Sequence, residues 1–371
     1  MNVRLADMLV YSDIGQLHQI ANSYQCQCKT HSKNELIQAI LSAFSRRERF
    51  EQMVQELELE DLRFINSLMF DKKQAFSIEE LTAKASQAAF EKREQMPSPR
   101  ERISKLKKYG WLFNGYSMQT RYLFSIPEDI KKSFGDVLKR HFMQHIQALD
   151  EPPVYREEQQ LLQEDVLKFL QYVRHEPIQL SVDGFIYKKQ LNSILEKMSV
   201  EESPVAKGEW RFGYGRRVKE YPNRFSFIYD YCFYNGLIAE EQQLTLTEKG
   251  ERTVLDVAYP SPMELYRFYL KLYKSPIKNL EALVHWTCML TERWVTFDSL
   301  RAALLPYVKP FYYDTSENII EKRLVHMLMH LGLLKIGEHP EAGIVLRQSA
   351  SAAKIIQGHF IEEKEVIVID H

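Results

Sequence analysis

The chain has 371 residues, 45% hydrophobic and 27% charged, with 20 Tyr, 20 Phe and a formal net charge of -1. That length and aromatic content exclude a disordered chain and suit roughly two to four small domains. The near-zero charge excludes an indiscriminate basic coat for nucleic acid, so an electrostatic partner must be met by a local patch.

Four cysteines, Cys26, Cys28, Cys232 and Cys288, form no disulfide framework and fit a reducing cytoplasm. The opening MNVRLADMLV lacks the apolar run of a signal peptide, and no stretch of about 18 apolar residues is present to span a membrane. The expected location is the cytoplasm, with nucleoid association if DNA is the partner.

Residues 1–47 carry an apolar helix at Leu17 and Ile20, a polar loop, and a second helix with Leu36, Ile37 and Ile40. This helix-extended-helix pattern resembles the small modules of the SAP and Rho-N-terminal type, which often bind nucleic acid. Within its loop, CQCKTH offers Cys26, Cys28 and His31. Structural zinc needs four ligands, commonly with C-x2-C spacing, so no metal site is expected here.

An acidic stretch, ERFEQMVQELELED at 48–61, marks the next boundary. The chain then repeats one grammar: an amphipathic helix ends at glycine and a short apolar strand follows. It occurs in SPRERISKLKKYGWLF (98–113), NRFSFIYDYCFYNGLIAE (223–240) and SENIIEKRLVHMLMHLGLLKIGE (316–338). Gly110, Gly236 and Gly332 stand where a helix end calls for a left-handed residue, which glycine adopts cheaply.

A hairpin is expected after each: QTRYLFSIP, with Tyr122, Phe124 and Ile126 alternating against Arg121, Leu123 and Ser125; LIAEEQQLTLTEKGERTVL; and LLKIGEHPEAGIVLRQ. Helix, helix, then helix-Gly-hairpin is the order of a winged helix. The fold class expected is therefore α+β and mostly helical, a small N-terminal helical module followed by three winged-helix-like units. Their expected bounds are 1–47, 48–150, 151–260 and 261–371, with linkers at LDEPPVYREE (149–158) and YPSPMEL (259–265).

The first unit has the stronger basic face. Ser98 suits an N-cap, Pro99 the first helical position, and Glu101 a capping box. With Ile103 and Leu106 turned to the core, Arg100, Ser104, Lys107 and Lys108 fall on the outer side. From Lys92 to Arg140 bases outnumber acids by 12 to 5. A recognition helix enters the major groove, where basic residues anchor on phosphates, and Arg121 in the hairpin is placed like a wing residue.

In the second unit, EDVLKFLQYVRHEPIQLSVDGFIYKKQLNSILEKM (164–198) with the NGLI segment resembles bacterial helicase-associated proteins, themselves similar to the N-terminal domain of the XPB helicase. With the N-terminal module, the similarity extends over about two-thirds of the chain. No G-x-x-x-x-G-K-[ST] loop is present, so a P-loop motor is excluded. The resemblance implies a DNA-associated scaffold rather than an enzyme.

GEWRFGYGRRVKEYPNRF (208–225) offers G-x-G without a third glycine or a leading strand, which excludes a dinucleotide loop. Two readings of it stand. Arg211, Arg216, Arg217 and Lys219 could grip phosphates with the aromatics stacking on bases, or the stretch is an exposed loop whose aromatics belong to the core. The helix that follows is aromatic on nearly every face and is expected to be buried.

The third unit is mixed in charge and suits protein contact. His326 and His330, at i and i+4, have no H-E-x-x-H partner and read as a surface or packed pair.

No nucleophile, carboxylate or metal signature is present. The expected function is a non-enzymatic, cofactor-free protein that binds duplex DNA through the first winged-helix unit and the basic loop at 211–219, as regulator or accessory factor of a DNA-processing or transcription machine. A protein-interaction adaptor built from winged helices is the alternative, and a protein partner at the third unit is compatible with both.

Overall fold

The computed structural model describes residues 3–26, 32–90, 97–206, 211–357 and 359–369. The chain divides into two units, Met1–His145 and Ile146–His371. The fold is α+β and mostly helical, with small antiparallel sheets. No helix among the described residues is long and apolar enough to cross a membrane.

The N-terminal unit holds α1 (Leu5–Tyr11), α2 (Ile14–Ser23), α3 (Lys33–Ser45), α4 (Arg47–Gln55), α5 (Leu59–Met69), α6 (Ile78–Ala88), α7 (Pro99–Lys108), strands β1 (Phe113–Asn114) and β2 (Phe124–Ser125), and α8 (Glu128–Met143). Side-chain caps start several helices: Asp13, Ser32, Ser77 and Ser98 each accept a backbone N–H. The rings of Phe50, Trp111 and Phe134 meet at centroid distances of 4.7 to 5.4 Å. Trp111 Nε1 donates to the Tyr24 hydroxyl at 3.0 Å.

The first helices therefore do not stand apart as a module. They are tied to α7 and α8: the Ser23 hydroxyl donates to the Lys108 carbonyl at 3.1 Å and the Leu5 N–H to Asp129 at 2.9 Å.

The C-terminal unit opens with β3 (Ala148–Leu149) and β4 (Val154–Arg156), followed by α9 (Leu161–His175), β5 (Ile178–Gln179), α10 (Lys188–Leu195), α11 (Asn223–Tyr234), β6 (Ile238–Glu240), β7 (Gln243–Leu246) and α12 (Glu248–Leu255). After these come α13 (Pro262–Tyr273), α14 (Leu280–Leu290), β8 (Trp294–Thr296) and α15 (Phe297–Leu304). A helical segment then runs as α16 (Ser316–Asn318), a π-helical stretch (Ile319–Val325) and α17 (His326–His330), before β9 (Leu334–His339), β10 (Gly343–Gln348) and α18 (Ala352–Ile356).

One order recurs: helix, strand, helix, helix, hairpin, with the lone strand pairing with the last strand. In the N-terminal unit Phe76 bridges Phe124 of β2, and β2 pairs with β1. Farther on the sheet order is β5-β7-β6. Among the last elements β8 pairs with β10 and β10 with β9.

The helix before each hairpin ends in the same way. Gly110, Gly236 and Gly332 have φ of +66, +64 and +70°. The residue after each donates its N–H to a carbonyl five positions back: Trp111 to Leu106 at 3.0 Å, Leu237 to Cys232 at 2.8 Å, Leu333 to Leu328 at 2.8 Å. This double-bonded ending satisfies carbonyls that the helix leaves open. At Gly332 a side chain would also collide with the Gln159 carbonyl, whereas Gly236 faces open space.

Three local expectations differ. The stretch at 149–158 is not a linker: β3 pairs with β8 and β4 with β9, at the two edges of a sheet ordered β3-β8-β10-β9-β4. Pro152 and Pro153 lie between the strands, where no ladder N–H is required, so they do not interrupt pairing. YPSPMEL contains a helix start rather than a linker, with Ser261 and Glu264 closing a capping box and Pro262 in the first turn. The alternation at 121–126 gives only the two-residue β2, since Arg121 and Tyr122 belong to a turn.

Candidate nucleic-acid interface

On α7 the sequence places a complete capping box. Ser98 accepts the Glu101 N–H, and Glu101 reaches back to the Ser98 N–H at 2.6 Å. Ile103 and Leu106 are buried, which leaves Arg100, Ser104 and Lys108 exposed and Lys107 half-buried. Lys107 Nζ sits 5.2 Å from the centre of the Phe124 ring on β2, so the basic face and the hairpin adjoin. Arg121 is exposed, lies over the neighbouring Tyr122 ring at 4.5 Å and donates to its hydroxyl.

Two further cations of α7 point the other way. Arg102 is buried and pairs with Asp61 at 2.6 Å, and Lys105 meets the second Asp61 oxygen at 2.7 Å. The signal in the sequence was the i, i+4 placement of Arg102 with Leu106 opposite an acidic segment. α7 thus has an inward pair of cations on Asp61, with Glu58 3.4 Å from Arg102, and an outward set of which Lys107 is half-buried.

In the C-terminal unit the arginines of 211–217 are occupied. Arg216 forks onto both oxygens of Glu240 at 2.9 and 3.1 Å and lies 3.5 Å over the Phe233 ring. Arg217 reaches the same carboxylate at 2.8 Å and the Asp183 carbonyl at 2.9 Å. Burial works to raise the Glu240 pKa, but hydrogen bonds from Arg216, Tyr229 and Arg217 outweigh it and hold the carboxyl low. Arg211 donates to the Tyr221 carbonyl at 2.8 Å and to Asn223 at 2.6 Å. Lys219 alone of the four is exposed.

The three arginines of this stretch are therefore held within the fold, chiefly by Glu240 of β6, and Lys219 is left in solvent. Residues 207–210 lie outside the described residues. No family profile, no curated protein and no solved structure matches the chain.

Buried beneath the loop is Asp230, which the sequence reading did not single out. Its signal was a lone carboxylate in an otherwise aromatic helix. One oxygen accepts the Arg216 N–H at 3.1 Å, and the other has no partner. Burial pushes the carboxyl up to about 7, against the Arg216 N–H and charge and the Arg217 charge, while Glu240 adds to the rise.

A carboxyl that keeps its proton to about pH 7 when folded but releases it near 3.8 when unfolded makes folding take up a proton. Stability of this unit should therefore fall as pH rises from about 4 to about 7 and level off above. Asp230→Asn removes that slope. Urea unfolding at pH 8 should show the variant more stable than wild type by on the order of 1–3 kcal/mol, with the gap closing near pH 4.

His330 is half-buried, and its Nδ1 lies 3.0 Å from both oxygens of Glu158. Among the described residues no group of three or more His, Cys, Asp or Glu is placed to hold a metal ion. Of CQCKTH only Cys26 is described, half-buried with its thiol 3.6 Å from the Ala39 carbonyl.

Proposed function

We propose that this protein is a non-enzymatic DNA-binding protein whose duplex contact is the outer face of α7 together with the adjoining hairpin. The observation that carries the reading is the set Arg100, Ser104, Lys107 and Lys108 on one side of a capped helix, beside Arg121. Cations at that spacing can reach successive phosphates, while Arg100 and Ser104 in the first turns are placed to meet base edges. The recurring helix–strand–helix–helix–hairpin order supports reading the units as winged helices, in which this helix is the reader.

The paired state of Arg216 and Arg217 moves the contact away from the second unit. Lys219, and Arg211 if it exchanges its partners, are left as secondary phosphate contacts there. The resemblance at 164–198 adds the role of regulator or accessory factor beside a larger DNA machine in the cytoplasm or nucleoid.

Fluorescence anisotropy with a labelled duplex across a salt series tests the reading. The expected result is affinity that falls steeply as salt rises. Absence of binding at low salt would overturn it in favour of a protein-interaction adaptor. The exposed Tyr312 and Tyr313 beside Phe311 favour that second reading for the third unit.

A further inference from the structure

The hairpin between β1 and β2 carries more than a basic side chain. Its loop is braced from within. The hydroxyls of Ser117 and Thr120 meet at 2.7 Å, the Thr120 N–H donates to Ser117 Oγ at 3.1 Å, and the Arg121 N–H donates to the Ser117 carbonyl at 2.9 Å. Asn114 closes the neck by donating from its amide to the Arg121 carbonyl at 3.1 Å. Gly115 is required, because a side chain there would collide with Thr120.

This brace presents an apolar tip. Met118 is 81% exposed, and Tyr122 at the base is 66% exposed. On the flank, Tyr11 of α1 stacks on Tyr116 at 4.5 Å with planes 14° apart, Tyr11 being 63% and Tyr116 46% exposed. Met118, Tyr122 and the Tyr11–Tyr116 pair together expose more apolar surface at this hairpin than a lone side chain would. Arg121 closes this loop through its bond to Ser117, and Lys107 lies over Phe124 at the base of the hairpin, so the complementary partner is polyanionic.

We infer that the Met118 hairpin is a wedge that enters DNA where base stacking is already broken, at a junction between duplex and single strands. This rests on the DNA-binding reading above and specifies the form of DNA. Apolar side chains on a basic element part base steps, and parting costs least where a base is already unpaired. The Tyr11–Tyr116 pair and Tyr122 then offer faces on which the released bases stack. The braced loop suits this role because a flexible one would fold its methionine away.

The test compares a fluorescein-labelled fork with an intact duplex of the same sequence, in anisotropy titrations of the full chain. Wild type should bind the fork about tenfold more tightly. Met118→Ser should bring the fork-to-duplex ratio to about one with the circular dichroism spectrum unchanged, since Met118 lies in solvent and the fold does not depend on it. A 2-aminopurine placed at the junction should brighten with wild type and not with Met118→Ser.

Equal affinity of wild type for fork and duplex would overturn the inference and leave the DNA-binding reading standing. So would a fork preference that Met118→Ser retains. No salt-sensitive binding to either DNA would overturn both.

Discussion

Replacement of Arg224 by alanine is expected to destabilise the C-terminal unit by about 3–5 kcal/mol, the cost of leaving buried charges without their counter-charge. Arg224 is 1% exposed and joins two carboxylates that are fully buried. Its Nε donates to Glu158 at 3.2 Å and its Nη1 to Asp165 at 2.6 Å. Glu158 would keep Arg156 at 2.5 Å and His330, and Asp165 would keep the Ser199 N–H at 2.7 Å. Neither of these can replace a buried guanidinium that spans both sites.

Burial works against the charge on Glu158, but His330, Arg224 and Arg156 together hold its carboxyl down at about 2. Against an unfolded value of 4.5, that contributes stability above pH 4.5 that is lost as pH falls toward 2. Arg224→Ala should shrink this acid-side dependence as well as lower the plateau. Thermal unfolding at neutral pH should show a midpoint lower by on the order of 10 °C. A change under about 1 kcal/mol would mean that the network is not what joins α9, α11 and α17.

The second large effect concerns binding. Lys107→Glu/Lys108→Glu should weaken duplex affinity about 10- to 100-fold near 0.1 M salt and make the salt slope shallower by about two, one for each lost phosphate contact. Lys107 also lies over Phe124, so the double variant gives up a cation–π contact of roughly 0.5–1 kcal/mol, a loss the fold can absorb. Arg216→Glu/Arg217→Glu is expected to behave differently. It places three carboxylates where Glu240 now holds two guanidiniums, so it should unfold the C-terminal unit before it changes any DNA slope. A slope that changes with Arg216 and Arg217 while the fold stays intact would return the contact to the loop.

What the sequence disclosed follows from how local each determinant is. The terminations at Gly110, Gly236 and Gly332 and the capping box at Ser98 depend on residues within about five positions of each other, so spacing alone reveals them. The outward set on α7 was legible for the same reason, as its inner face is marked by Ile103 and Leu106. The partners of the arginines were not. Arg216 finds Glu240 across 24 positions, and Arg224 finds Glu158 across 66. Nothing in a local window distinguishes an arginine reserved for such a pairing from one in solvent.

The segment at 149–158 misled for a related reason. Two prolines and several charges resemble a linker, yet edge strands such as β3 and β4 tolerate both and are identified only by the strands they join.

Lysine reactivity of the full chain, mapped by acetylation with and without duplex DNA, bears most directly on where DNA sits. DNA is expected to shield Lys107 and Lys108 on the outer face of α7, while Lys197 and Lys249 of the C-terminal unit keep their reactivity. Unchanged reactivity at Lys107 and Lys108 under saturating DNA would contradict it.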